Sequence, residues 1–268
     1  MSVAGGDEVI DMETLIDLLR ELPLWQLAVI FLAENLLIFA LVLLAGRWIA
    51  RRFRHRPVSH LPPEVGGTDV RLALLTVMLN TCVTLAGLML WRAGYIHFRT
   101  DTGWRAWLDV VVLLVVMDLL MYLLHRLAHA RWLFPLMHRT HHNYERVRPL
   151  ALFLLNPFEN LGFGVLWLAV IIAYDASWLG MSTYLIVNVI FGAIGHLGVE
   201  PLPDSWRRIP LLNHLTTSSF HAQHHQHLAH NYGFYTLIWD RLFGTLSPRY
   251  ETDFGRLPAQ NLSATGRF

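Results

Sequence analysis

The sequence predicts an all-α, polytopic integral membrane protein with about four to five transmembrane helices and a cytosolic, histidine-rich helical cap. Three observations carry this. The 268 residues are 54% hydrophobic and 15% charged, with a mean hydropathy of +0.39, too apolar for an ordinary soluble domain. Apolar runs long enough to cross a bilayer, which takes about 20 residues, alternate with arginine-rich loops. Eight of the 15 histidines fall in three clusters with helical spacing: His125 and His129; His138, His141 and His142; His221, His224 and His225. The net charge of +1 is spatially sorted, and no nucleic-acid partner is expected.

Taken in order, the chain opens with acids and no basic n-region, so no signal peptide is expected. From Val9 to Leu22 an apolar stripe faces an acidic one, which predicts an amphipathic helix lying at a membrane interface or packed on the protein's own core. Leu24–Ala45 is a first span, with Glu34 and Asn35 expected to face protein rather than lipid. Arg47, Arg51, Arg52, Arg54 and Arg56 follow, which makes this loop cytoplasmic by the positive-inside rule. Pro57–Gly67 reads as a linker. Val70–Trp91 leads outward, and Ala106–Leu124 returns, delivering His125 and His129 to the cytoplasmic side. Leu150–Tyr174, with a kink expected near Pro157, and Trp178–Gly198 form a hairpin out and back. Residues Arg207–His227 read as one helix after Pro203, and the chain from 248 to 268 reads as a loosely ordered tail. The division is therefore 1–105 (amphipathic helix and two spans), 106–247 (metal-binding domain) and 248–268 (tail). Every basic residue is arginine, which suits a GC-rich genome and a bacterial inner membrane.

Positions i, i+3 and i+4 of an α-helix share a face, so each H-x-x-H-H segment is expected to aim three imidazoles at one point. Eight or more imidazoles are too many for one ion, and the reading is a site for two transition metals. Structural zinc alone is disfavoured, because Cys82, in an apolar run, is the one cysteine. His196, at the inner end of a glycine-rich span, is a ninth candidate ligand. His214, seven residues before His221, is a possible tenth if the helix is continuous. Asp118, Tyr122, Glu159 and Glu200 are candidates to support the ligands, the acids as acceptors for imidazole N–H groups that balance the metal charge. His97 lies on the outer side, and His227, His230, His55 and His60 break the register or lack a partner.

The combination His125-x-x-x-His129, His138-x-x-His141-His142 and His221-x-x-His224-His225, closed by Asn231-Tyr232-Gly233 and Trp239-Asp240-Arg241-Leu242-Phe243-Gly244-Thr245, resembles the membrane-bound fatty acid hydroxylase / sterol desaturase superfamily over residues 118–245. The resemblance implies a helical membrane base and a cytosolic cap holding two iron ions, for which zinc can substitute on purification. It also implies that the eight cluster histidines and His196 are ligands. Asn156 stands where many relatives have histidine before proline, and Glu200 where some have a further histidine. No b-type cytochrome segment accompanies the motifs.

The expected activity is O2-dependent hydroxylation or desaturation of a membrane lipid: a fatty acyl chain, a sterol or hopanoid, a carotenoid or an ether lipid. No haem-attachment, Walker or dinucleotide motif is present, so electrons are expected from a separate ferredoxin, or from a b-type cytochrome with its reductase, docking on the basic face. The alternative is a histidine-lined membrane metal transporter or metal-binding protein.

Overall fold

The computed structural model describes residues 12–257. The start of the amphipathic segment (residues 9–11) and the end of the tail (residues 258–268) lie outside the described residues. Within them the chain is helical, with no strand beyond isolated bridges. Four helices are long and apolar enough to cross a membrane: α2 (Leu24–Arg52), α3 (Gly67–Arg92), α4 (Trp104–Ala128) and α8 (Trp178–Gly195). The shorter apolar α7 (Pro157–Ala173) pairs with α8. The protein is a polytopic membrane protein.

These helices run alternately away from and toward the end that carries the histidines. Leu113, Met117 and Met121 of α4 pack with Val170 of α7 and Tyr184 of α8, so the hairpin closes on α4. Val42 of α2 and Ala73 of α3 pack with Phe153 and Leu154 of the connection that follows the cap. At the far end, buried Asp109 accepts hydrogen bonds from Arg99 (2.8 Å), the Tyr174 hydroxyl (2.7 Å) and the Ser177 amide (2.8 Å), tying the two far-side loops together.

Several elements differ from expectation for identifiable reasons. Helix α1 (Met12–Glu21) buries no residue, so it does not pack as part of the core. Towards its C-terminal end Arg92 donates to the Leu19 and Leu22 carbonyls, and the Arg20 guanidinium lies over the Trp91 ring. Pro157 does not kink a span. It occupies the first turn of α7, where its missing N–H costs nothing, and the Asn156 side chain caps that turn at the Phe158 amide (2.9 Å). Glu34 does not face protein, because it is exposed on α2, while Asn35 is half-buried and donates to its own helix at the Phe31 carbonyl.

Residues Arg207–His227 are not one helix. Two 3-10 turns (Asp204–Arg208 and Leu212–His214) precede an extended stretch, and α9 spans only Ser218–Gln226. Thr217 starts α9 by accepting the Phe220 amide. The chain after Ser247 is not loose up to residue 257. A short helix at Tyr250–Asp253 buries Tyr250, and Phe254 joins it against Phe220 and Leu237.

Candidate metal centre

The cap is assembled from four pieces of chain. Helix α4 ends with His125 in its last turn and His129 as its C-cap. Two single-turn helices, α5 (Phe134–Met137) and α6 (Arg139–His142), meet at His138. His196 is the C-cap of α8, and α9 carries His221, His224 and His225.

The nine histidines gather into two groups. His125, His129, His138, His142 and His224 form one, and His141, His196, His221 and His225 the other, with ligand atoms in each within 4.8 Å of one another. The H-x-x-H-H segments therefore do not aim three rings at one point. In α6 the i and i+4 rings go to the first group and the i+3 ring to the second. In α9 His221 and His225 join the second group and His224 the first. The reason is angular: i and i+4 lie about 40° apart around a helix, whereas i+3 and i+4 lie about 100° apart. A helix wedged between two sites thus serves both.

Hydrogen bonds fix the orientation of four rings. His125 Nδ1–H donates to the Tyr232 carbonyl (2.8 Å), His138 Nδ1–H to Glu159 Oε1 (2.7 Å), His196 Nδ1–H to the Gly192 carbonyl (2.8 Å) and His224 Nδ1–H to the His230 carbonyl (2.7 Å). In a neutral imidazole a protonated Nδ1 leaves Nε2 as a bare lone pair. Nε2 atoms nevertheless face one another at 2.9 Å (His125–His138), 3.0 Å (His142–His224), 3.1 Å (His196–His221) and 3.1 Å (His221–His225). With Glu159 ionised, the His125–His138 contact joins two such lone pairs, which would repel unless a cation lay between them. Without a cation, burial pushes the Glu159 carboxyl well above its usual range and favours its protonated form. The spacing also fits an ion. Ligand nitrogens about 2.1 Å from a metal lie about 3.0 Å apart at right angles and about 3.4 Å apart at the tetrahedral angle. The residues present therefore fit two nitrogen-ligated metal ions.

Burial, and then the neighbouring imidazoles, hold His138, His141, His221, His224 and His225 well below the usual histidine range. His142 is pushed down to about 3 for the same reasons. The cap thus keeps its imidazoles neutral, which is the state that binds metal.

Not every candidate reaches the centre. His214 belongs to neither group. The helix that would have aligned it with His221 is broken at Leu215–Thr217, and its Nδ1 takes a hydrogen bond from Arg241 (2.6 Å) instead. Of the three acids, only Glu159 accepts from an imidazole. Asp118 is taken by the amides of Tyr235 (2.9 Å) and Thr236 (3.1 Å) and by the Trp239 indole (3.0 Å). Glu200 is taken by the Ser219 amide (2.9 Å) and hydroxyl (2.7 Å) at the start of α9. Tyr122 places its hydroxyl 3.0 Å from Thr245 Oγ1 and its ring edge-on to Tyr232. These three position the closing loop and α9 rather than the imidazoles. His97 sits beside Asp175 at the far end, and His227 and His230 lie outside both groups.

Sequence reasoning missed the carbonyls of Gly192, His230 and Tyr232, since a backbone acceptor leaves no side-chain signature. The closing motifs were its indirect signal. Asp240 accepts the Tyr232 (2.9 Å) and Gly233 (2.7 Å) amides and the Thr245 hydroxyl (2.7 Å), holding the loop that offers the Tyr232 carbonyl to His125. Gly233 has no room for a side chain, because a Cβ there would lie 2.4 Å from the Thr236 carbonyl oxygen.

Comparison with known proteins matches residues 110–245, just over half of the 268-residue chain, to the fatty acid hydroxylase family. The relatives include lathosterol oxidase of Rattus norvegicus, 30% identical over 53% of this chain and 46% of its own. A Delta(7)-sterol 5(6)-desaturase of Leptosphaeria maculans is 24% identical over 57% of this chain and 42% of its own. A very-long-chain aldehyde decarbonylase of Arabidopsis thaliana is 26% identical over 50% of this chain and 23% of its own. The chain spans less than half the length of these curated relatives. No solved structure matches it.

Proposed function

The chain belongs to the fatty acid hydroxylase family, and on that premise we propose that it is an O2-dependent di-iron oxidoreductase that hydroxylates or desaturates a membrane lipid. The observation that carries the proposal is the convergence of nine neutral imidazoles into two buried groups at the membrane-facing end of the cap. Relatives named as a sterol desaturase, a lathosterol oxidase and a fatty acid hydroxylase support lipid oxidation. The substrate is a fatty acyl chain, a sterol or hopanoid, a carotenoid or an ether lipid. Electrons come from a separate ferredoxin or b-type cytochrome with its reductase. The protein lies in a bacterial inner membrane, with the metal centre on the cytoplasmic side, as the arginines after α2 and around α5 and α6 suggest.

His125, His129, His138, His142 and His224 would hold one iron, and His141, His196, His221 and His225 the other. When bound, the pair supplies the redox chemistry that activates dioxygen against a C–H bond. The chain's own residues do three things. Glu159 and the carbonyls of Tyr232, Gly192 and His230 lock four rings with Nδ1 protonated and Nε2 free. The buried carboxylate of Glu159 balances part of the positive charge that two ions bring. Tyr232 covers the first group with its ring, centroids 5.1 to 5.7 Å from those of His125, His129 and His224, and excludes water there.

A metal transporter would need ligands strung along a passage. Here they are gathered in two compact groups at and beyond the ends of α4 and α8. The test is comparative lipid mass spectrometry of cells with and without the gene. A gain of one oxygen or a loss of two hydrogens in one lipid class is expected. Identical lipid profiles, with the protein present and iron-loaded, would overturn the proposal.

A further inference from the structure

A second feature lies outside the metal centre, between the cap-side ends of α2 and α3. There the two helices part around a cavity of about 410 Å³, within the size range of ligand pockets. Its walls are apolar, formed by Phe39 and Leu43 of α2 and by Val70 and Leu74 of α3, and the turn at Pro149 and Leu150 closes its base. That base is tight, because α2 touches it at Gly46, where a Cβ would lie 2.7 Å from Pro149. Val65 and Ala73 also line it, together with two guanidinium groups, Arg47 and Arg148.

The charges are not balanced. Arg148 is paired with Asp69 (2.7 Å), which also accepts the Tyr144 hydroxyl (2.8 Å) and the Gly66 amide (3.1 Å). Arg47 has no hydrogen-bond or ion-pair partner among the described residues, and no carboxylate lines the cavity. The cavity mouth therefore carries one unspent positive charge, in the turn of α2 where the apolar run ends. An apolar crevice opening from a bilayer, with a single uncompensated cation at headgroup depth, matches an acyl chain that ends in an anion.

We propose that this crevice binds an anionic phospholipid, its acyl chain between α2 and α3 and its phosphate on Arg47. The site adjoins the metal centre through one turn of chain. Leu152, two residues beyond Leu150, packs on Gly192, whose carbonyl orients His196. The inference depends on the membrane placement of α2 and α3 and not on the oxidative chemistry, so either can fail without the other.

The experiment places the full-length protein in nanodiscs containing phosphatidylglycerol with a photoactivatable diazirine on its acyl chain, or the matched phosphatidylcholine. Cross-linked peptides are then mapped by mass spectrometry. Peptides containing Leu43 and Leu74 are expected to be labelled about tenfold more by phosphatidylglycerol. Arg47→Gln should abolish that preference, whereas Arg47→Lys and Arg51→Gln should keep it, which separates loss of charge from loss of fold. Equal labelling by both lipids would show only the ordinary lipid shell and overturn the proposal. So would a preference that survives Arg47→Gln.

Discussion

At the residue scale the centre depends on which nitrogen of each ring carries the proton. Among the described residues Glu159 is the one carboxylate bonded to a ring of the two groups, and Glu159→Gln keeps an acceptor for His138 while removing the carboxylate. Loss of such an outer partner typically costs about 10- to 100-fold in metal affinity or activity. A chelator competition should therefore show weaker metal binding in this variant with the fold intact. On the proposed di-iron reading, His196→Ala removes one of the four candidate ligands in the second group and should lower the iron content, measured by elemental analysis, from two ions per chain toward one. His214→Ala should leave it at two, because that ring pairs with Arg241 outside both groups.

The protonation state also has a consequence for stability. His142 titrates at about 3 in the folded protein, and histidine ordinarily near 6.5. Between those values the unfolded chain binds more protons than the folded one, so stability rises with pH across that window. The metal-free protein in detergent should thus be most stable above about pH 6.5 and lose stability progressively on acidification toward pH 3. A melting temperature that stays flat across this range would contradict the buried, neutral state of the cluster.

At the scale of elements, what the sequence made legible and what it hid divide along a physical line. Spans and clusters were legible because hydropathy and the 3.6-residue period are local properties. The exposure of Glu34 was not, since which face of α2 meets protein depends on where α3 packs. The allocation of His141 and His224 was hidden too, since it depends on α6 and α9 lying between the two sites rather than beside one. The continuous helix drawn through His214 failed because Leu215–Thr217 is extended, with Leu215 bridged to Thr236 and the Thr216 amide donating to the Tyr235 carbonyl (2.9 Å).

Two carboxylates expected at the rings instead anchor elements: Asp118 holds the segment at Tyr235–Trp239, and Glu200 holds the first turn of α9. Glu200→Ala would leave the buried Ser219 amide and hydroxyl without their acceptor. That should cost about 1–3 kcal/mol, with a matching drop in melting temperature. Gly233→Ala, which drives a methyl group into the Thr236 carbonyl, should disturb the Tyr232 carbonyl and reduce metal retention more than Gly103→Ala, where the added methyl meets no neighbour and φ is negative.

On the scale of the whole molecule, a bundle of membrane helices raises one end of α4 and one end of α8 to the same face, and the cap closes over it. The separation of labour is clear in the packing. The apolar cluster of α4, α7 and α8 fixes the hairpin, the Phe220–Tyr250–Phe254 cluster fixes the cap, and the imidazoles lie between them. The same geometry predicts orientation. If the arginines after α2 face the cytoplasm, as the positive-inside rule proposes, a fluorescent reporter fused to an exposed cap loop should fluoresce and a phosphatase reporter there should be inactive. The reverse pattern would place the centre on the opposite face.

The central claim, that these two histidine groups hold iron and oxidise lipid, is tested most directly by isotope. The purified protein, loaded with iron in nanodiscs and given a chemical reductant and 18O2, should consume oxygen. One lipid class should then gain a single 18O atom or lose two hydrogens, and His196→Ala should abolish the change. Two bound irons per chain, with no oxygen uptake and no altered lipid in membranes prepared from the cells that make the protein, would contradict it.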